Sequence, residues 1–237
     1  MEWENQLVQK YNKTLVIIAT LNEEKGIGPT LTEVNHFLNK PFCLVVDGQS
    51  IDQTVDIAEQ NGAEVIKQKD LGKGDAIATA IKHTRDFDMK YVALIDADFT
   101  YPAKYLSIME KVLDNNPNVG MVCGNRFNPN METRAMRKQF YLGNKVLSFS
   151  HKLLNGIQLQ DPLTGLRLLR QKIVNNWTPD SKGFDIEVEL NHLVENKGYS
   201  ILEIPITYRQ RIGEKKLKPT DGLTILKRMI LQSLKQF

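Results

Sequence analysis

The sequence predicts an α/β fold: a mostly parallel sheet with helices on both faces, built as a single domain from the whole 237-residue chain. Two observations lead there. Through the first half, short continuous Val/Ile/Leu runs alternate with helix-period segments, the pattern of strands covered on both faces by crossover helices. No internal repeat, low-complexity tract or linker interrupts the chain, and its length suits one large domain or at most two small ones.

The strands are read at TLVIIAT (14–20), FCLVVD (42–47), AEVIKQ (63–68), YVALIDAD (91–98) and VGMVCG (119–124). Helical patterns lie between them, near 27–38, 53–61, 73–84 and 102–115. Asp52 is placed to cap a helix starting at Gln53, and Pro102 suits the first turn of the last of these helices. The second half is less regular. A helix is expected at about 134–154, then the stretch DPLTGLRLL, a helix at 184–196 and a strand in YSILEIPITYR (199–209). A basic loop and an amphipathic helix over 219–237 end the sequence.

Composition narrows the classes. Hydrophobic residues make up 41% and charged residues 25%, an ordinary balance for a globular protein. A net charge of +3 is too small to indicate a nucleic-acid partner, and the basic residues are not interleaved with stacking aromatics, so no nucleic-acid partner is expected. Cys43 and Cys123 each lie in an apolar run and read as buried free thiols of a reducing compartment rather than a disulfide or metal ligands. The opening MEWENQLVQKYNK has no apolar core, and no run approaches the roughly 18–20 apolar residues that span a bilayer. The expected location is cytoplasmic, peripheral on the cytoplasmic face of a membrane. His36, His83, His151 and His192 are scattered without ligand spacing and read as structural or exposed.

The chemistry-bearing residues gather at strand ends. In an extended chain residues i and i+2 share a face, so Asp96 and Asp98 of LIDAD present two carboxylates together at the carboxyl end of a central strand. That edge is where open α/β sheets bind ligands, and two carboxylates suit Mg²⁺ or Mn²⁺ shared with substrate phosphates. The alternative is that one Asp caps the following helix and the other is solvated. Asn22 and Glu23 follow the first strand and Asp47 ends the second. In DLGKGDA, after the third, Gly72 and Gly74 allow close backbone approach and Lys73 can meet a phosphate. Four polar-tipped turns on one edge favour a nucleotide pocket over four unrelated turns.

The ordered set ATLNEE, VVDGQSIDQT, LGKGDA, LIDADFTYP, GNRF, DPLTGLRLL, GFDIEVEL and EIPITYRQRIGEKKLKP, over about residues 14–226, resembles the GT-A-fold family 2 glycosyltransferases. It is most similar to the dolichyl-phosphate mannose synthase-like branch, which includes archaeal polyprenyl-phosphate sugar transferases. The resemblance implies a Rossmann-like GT-A sheet and inverting transfer of a hexose from a nucleotide sugar to a polyprenyl (dolichyl) phosphate. It implies that Ala19, Thr20, Asn22 and Glu23 form the first nucleotide-contacting loop, that Asp47 reads base or ribose, and that Asp96 and Asp98, with Ala97 between them, meet the metal and diphosphate. Arg126 and Arg137, with Tyr141, correspond to the acceptor-phosphate site. Arg211 and Lys216 correspond to a mobile basic loop over the donor phosphates.

This chain departs from the mannose synthases in TLNEE, which lacks their Pro and Tyr, in FTYP after the acid pair, in Tyr141 where a small hydroxyl residue is common, and in a basic loop one residue shorter. DADFTYP with PITYRQR is nearer to archaeal members using UDP-glucose or UDP-N-acetylglucosamine than to GDP-mannose enzymes.

The chemistry also follows from the reactants. A phosphate monoester, with a second pKa of about 6, is mostly a dianion at neutral pH and is already a nucleophile. No general base is then needed; arginines must offset the repulsion between two anionic substrates, and their planar fork suits phosphate. A hydroxyl acceptor would instead need a carboxylate base, with Glu187 or Asp161 as the candidates. Otherwise Glu187 contacts sugar or orients an arginine, and Asp161 and Thr164 shape a turn. A lipid acceptor calls for a membrane-facing surface. The helices at 134–154 and 219–237 mix basic and apolar residues suited to a headgroup layer or to packing on the domain itself. A membrane partner protein and a non-catalytic nucleotide-sugar binder are the remaining alternatives.

Overall fold

The computed structural model describes residues 13–127, 138–214, 216 and 220–234. Alternation along the first strand sets the layers. In β1 (Thr14–Thr20) Val16 and Ile18 belong to one apolar cluster and Leu15 and Ile17 to another, all at most 1% exposed. Successive side chains point to opposite faces, so a strand buried along its whole length must be covered twice. One cover is α1 (Glu24–Phe37) with α4 (Lys104–Asn115), which contribute Ile27, Leu31, Val34, Leu106 and Met109. The other is α3 (Lys73–His83) with α7 (Ile186–Asn196), which contribute Ile77, Ala80, Ile81, Ile186 and Leu190.

The remaining strands are β2 (Phe42–Asp47), β3 (Glu64–Lys67), β4 (Tyr91–Leu94), β5 (Val119–Asn125), β6 (Arg167–Arg170) and β7 (Ser200–Pro205). They form one seven-stranded sheet in the order β3-β2-β1-β4-β6-β5-β7. Four neighbour pairs are parallel, and β6 alone runs antiparallel to both its neighbours. The other helices are α2 (Thr54–Gln60), α5 (Lys138–Asn155), the single turn α6 (Gln171–Val174) and α8 (Asp221–Leu234). An α/β, mostly parallel sheet with helices on both faces is what the sequence predicts.

Three elements differ from expectation. β4 stops at Leu94, so Asp96 and Asp98 lie in the turn beyond it and not in extended chain. Pro102 precedes α4 by a full residue instead of opening its first turn. RLLR, inside the stretch expected to be irregular, is the antiparallel strand β6; Leu168 and Leu169 bury on opposite faces, while Arg170 donates to the carbonyls of Leu113, Asn116 and Val119.

That antiparallel strand matters for the site. Its amino end meets the carboxyl ends of β4 and β5, with Arg167 opposite both Leu94 and Cys123. The residues that precede it, Asp161–Gly165, are thereby carried to the functional edge of a sheet that is otherwise parallel.

Candidate active site

The turn after β4 is wedged between two glycines. A Cβ on Gly26 of α1 would lie 2.4 Å from the Ala97 carbonyl oxygen, and one on Gly165 would lie 2.4 Å from an Asp96 carboxylate oxygen. Thr30 of α1 also donates to the Ala97 carbonyl, at 3.3 Å. Phe99 then takes a left-handed φ of 63°, which reverses the chain. A non-glycine residue in that region is uncommon and marks a backbone shaped by its surroundings.

The two aspartates face different partners. Asp96 accepts from the Lys73 ammonium at 2.7 Å, and the same ammonium reaches Glu187 of α7 at 2.7 Å. Burial works to raise the Asp96 carboxyl, but Lys73, aided by Arg126 and Arg211, outweighs it and holds it below its ordinary range. Asp98, 3% exposed, accepts from the Thr100 backbone N–H at 3.1 Å and hydroxyl at 2.6 Å. Its other oxygen accepts from Arg211, whose second amino group donates to Glu23. Burial and the neighbouring Asp96 charge raise the Asp98 carboxyl. Burial likewise pushes Glu23 up to about 7, against the pull of Arg211 and Lys216.

Arg211 is delivered by the segment after β7, which runs back along the Asp98 turn. Arg209 N–H donates to the Thr100 carbonyl at 2.9 Å and Ile212 N–H to the Asp98 carbonyl at 3.2 Å. The Arg209 guanidinium lies 4.2 Å from the Phe99 ring centre and pairs with Glu33, so the same segment also grips the turn from outside.

The neighbouring loops are knitted by their own backbone. Asp47, 1% exposed, accepts from the N–H groups of Gln49 and Ser50. Asn22, at φ 50°, accepts from Ile51 N–H and donates its own N–H to Ser50. The Thr20 carbonyl accepts from Gly48 N–H at 2.8 Å, and Ala19 is partly buried beside it at the strand end. Asp52 accepts from the N–H groups of Glu24 and Thr54 and so ties two loops together. The helix starts at Thr54 with Gln53 at its N-cap and no side-chain cap there, so the expected capping by Asp52 of a helix starting at Gln53 is not met.

Gly72 and Gly74 serve a different purpose from the one expected. A Cβ on either would lie within 2.3 Å of the Lys182 or Ser181 carbonyl oxygen, and Gly74 N–H donates to Lys182 at 2.9 Å. They allow close approach of protein backbone, and the Lys73 between them is engaged by carboxylates.

Arg126, 7% exposed, is locked by a two-point ion pair with the fully buried Asp161, both contacts at 2.7 Å, and by the rings of Tyr101, Phe127 and Tyr208. Asp161 is thus the counter-ion of Arg126, a role not legible in the sequence, where it is expected to shape a turn or to serve as base for a hydroxyl acceptor. That pair uses two of the five guanidinium N–H groups. Arg137 and the side chain of Tyr141 lie outside the described residues.

The site therefore assembles Glu23, Lys73, Asp96, Asp98, Arg126, Glu187 and Arg211 from six separate segments, the two aspartates sharing the turn after β4. Among the described residues no group of three or more His, Cys, Asp or Glu forms a closed metal cage. The open set of carboxylate oxygens fits Mg²⁺ or Mn²⁺, which take one or two protein carboxylates and complete their shell with water and phosphate oxygens. Glu23 Oε2, buried and without a hydrogen-bond partner, is an oxygen such an arrangement can use.

The chain belongs to glycosyl transferase family 2, whose model matches residues 15–178. It is 33% identical to the dolichyl-phosphate hexose transferase of Haloferax volcanii over 90% of both chains. It is 25% identical to the polyprenol monophosphomannose synthase of Mycolicibacterium smegmatis over 90% of this chain and 84% of that one. The same fold occurs in the crystal structure of glucosyl-3-phosphoglycerate synthase from Mycobacterium tuberculosis with Mn²⁺, UDP-glucose and phosphoglyceric acid, at a TM-score of 0.71 and 19% identity, covering 100% of this chain and 83% of that one.

Proposed function

We propose that this enzyme transfers a hexose, with inversion, from a nucleoside diphosphate sugar to a polyprenyl (dolichyl) phosphate. The observation that carries the reading is the meeting of Asp96, Asp98, Lys73 and Arg211 at one sheet edge, each cation held between two carboxylates. The names of the H. volcanii and M. smegmatis relatives support the lipid-phosphate acceptor.

In this reading Asp96 and Asp98 would hold Mg²⁺ or Mn²⁺, which when bound would supply a Lewis acid to offset charge on the nucleoside diphosphate. Ala19, Thr20, Asn22, Glu23 and Asp47 surround the nucleoside, with Ala97 against the diphosphate. Arg211 and Lys216 move onto the donor phosphates. Arg126, aimed by Asp161, and Arg137 with Tyr141 receive the acceptor phosphate. Its dianionic oxygen bonds to the anomeric carbon as the bond to the nucleoside diphosphate breaks. No proton has to be removed. Lys73 fixes the Asp96 carboxylate and, through Glu187, borders the sugar position.

The acceptor implies a membrane surface. Helix α8 buries Ile225 and Met229 against Val188, while Leu223, Ile230 and Leu234 remain exposed. Val146, Phe149 and Leu153 of α5 are 58%, 67% and 72% exposed, spaced along one helical stripe. With Lys152 and Lys227 among them, these helices suit an anionic headgroup layer on the cytoplasmic face. No helix among the described residues is long and apolar enough to cross a membrane.

A second reading, transfer to a soluble phosphate or hydroxyl acceptor, draws on Glu187, whose Oε2 is buried without a hydrogen-bond partner. One assay separates the two. Labelled UDP-glucose, UDP-N-acetylglucosamine and GDP-mannose are offered with polyprenyl phosphate vesicles, with and without Mn²⁺. Manganese-dependent label in the lipid phase is expected from one donor, with Phe149→Ser/Leu153→Ser losing vesicle flotation. A water-soluble product and no labelled lipid would overturn the lipid-acceptor reading.

A further inference from the structure

Arg211 occupies a position that suits a metal ion. Glu23 and Asp98 come from the turns after β1 and β4, and both are more than nine-tenths buried. Two such carboxylates repel unless a cation lies between them, and here it is one guanidinium, with one amino group on each. The fit is incomplete. Arg211 Nε and Glu23 Oε2 are both buried and, among the described residues, without a hydrogen-bond partner. A buried polar atom left unpaired is costly, so the arrangement gains from any ligand that supplies the missing contacts.

The segment is also built to let the side chain leave. Its main chain is clipped to the turn through Arg209 and Ile212, so departure needs side-chain rotation only. Gly213 follows at φ 92°, at an exposed bend. The Arg211 side chain is 25% exposed and already reaches solvent.

We propose that Arg211 is a resident counter-ion that a divalent cation must displace from Asp98 and Glu23. The guanidinium then turns to the donor diphosphate, so cation and donor bind together and neither binds strongly alone. The physical basis is exclusion. Arg211 and a divalent cation carry like charge and compete for the same Asp98 oxygen, so cation binding is opposed until a diphosphate receives the arginine. By linkage, whatever the nucleotide does for the cation, the cation does equally for the nucleotide. The proposal rests on the reading of Asp96 and Asp98 as the metal site.

The test measures Mn²⁺ affinity of the full chain by electron paramagnetic resonance, without nucleotide and then with UDP or GDP. The wild type is expected to bind Mn²⁺ weakly alone and at least tenfold more tightly with one of the two nucleotides. Arg211→Ala is expected to bind Mn²⁺ at least tenfold more tightly than wild type without nucleotide, and to gain less than threefold on adding it. Lys25→Gln removes the same charge from an exposed position two residues from Glu23 and should behave as wild type; equal tightening there would show general electrostatics and overturn the proposal. If Asp98→Asn abolishes Mn²⁺ binding while Arg211→Ala leaves it at the wild-type value, the displacement idea fails and the metal site stands. If Asp98→Asn changes nothing in either background, the metal-site reading fails, and the proposal with it.

Discussion

Gly26→Ala tests whether close approach of α1 positions the acidic turn. The added methyl would lie 2.4 Å from the Ala97 carbonyl oxygen and 2.9 Å from the Asp98 Cα, where ordinary contact begins at 3.4 Å. The shortfall of 1.0 Å is against backbone, which cannot rotate away as a side chain can. Two effects compete. Gly26 is the third residue of α1, and replacing a glycine in the first turn of a helix by alanine favours the helix by at most about 1 kcal/mol. Overpacking a tight interior costs about 1–3 kcal/mol, and contact with main chain belongs at the upper end. The net loss of about 2 kcal/mol corresponds, for a chain of this size, to a Tm lower by roughly 4–8 °C. Since α1 and the turn must part, Asp98 moves relative to Lys73 and Arg211. A displacement near 1 Å in such a site costs about 10²-fold in rate. The assay is thermal unfolding beside kcat/KM for sugar transfer. Gly28→Ala is the control, because its methyl would meet side chains rather than backbone, Ile57 at 3.1 Å, which can give way, and Asn61 at an ordinary 3.8 Å. A raised Tm with undiminished transfer in Gly26→Ala would refute the argument, for it would mean helix propensity wins and the turn tolerates retreat.

Lys73→Met should destabilise by about 3 kcal/mol, read from urea unfolding, because it leaves Asp96 and Glu187 facing without their shared ammonium. Adding Glu187→Gln should recover part of that stability but not transfer; no recovery would mean the two carboxylates do not act through Lys73. Glu23 gives a pH dependence. Its folded-state value of about 7 lies above the ordinary 4.5, so the folded protein holds this proton more tightly than the unfolded chain does. The resulting stability is present below pH 4.5 and lost as pH rises through 7. At full strength the shift is worth roughly 3 kcal/mol, reduced to on the order of 1 kcal/mol because the Arg211 paired with Glu23 is a quarter exposed and lets water screen the site. The fall in urea midpoint between pH 5 and pH 8 should therefore be smaller in Glu23→Gln than in wild type, and identical slopes would count against a buried, proton-holding Glu23.

Much of this was legible without coordinates. Apolar runs at β1, β2 and β4 announced strands buried on both faces, and Asp47, Asp96 and Asp98 beyond them marked the candidate edge, because burial tolerates charge only where a strand leaves the core. Family motifs in order pointed to a sugar transferase. RLLR was not legible as a strand: four residues with an arginine at each end give no alternation to detect, and its antiparallel place comes from partners on β4 and β5. The pairing of Asp161 with Arg126 was hidden for the same reason.

Local pattern thus determined the layers and the edge, since periodicity and strand-end charge act over a few residues, while the class of chemistry came from the family resemblance of the ordered motifs. Tertiary structure alone decided which charge meets which. Asp96 goes to Lys73 and Glu187, and Asp98 to Arg211 and Glu23, because a turn clamped by Gly26 and Gly165 sends the two carboxylates toward partners brought in by separate strands. Spacing in sequence carries no record of those distances; only packing creates them.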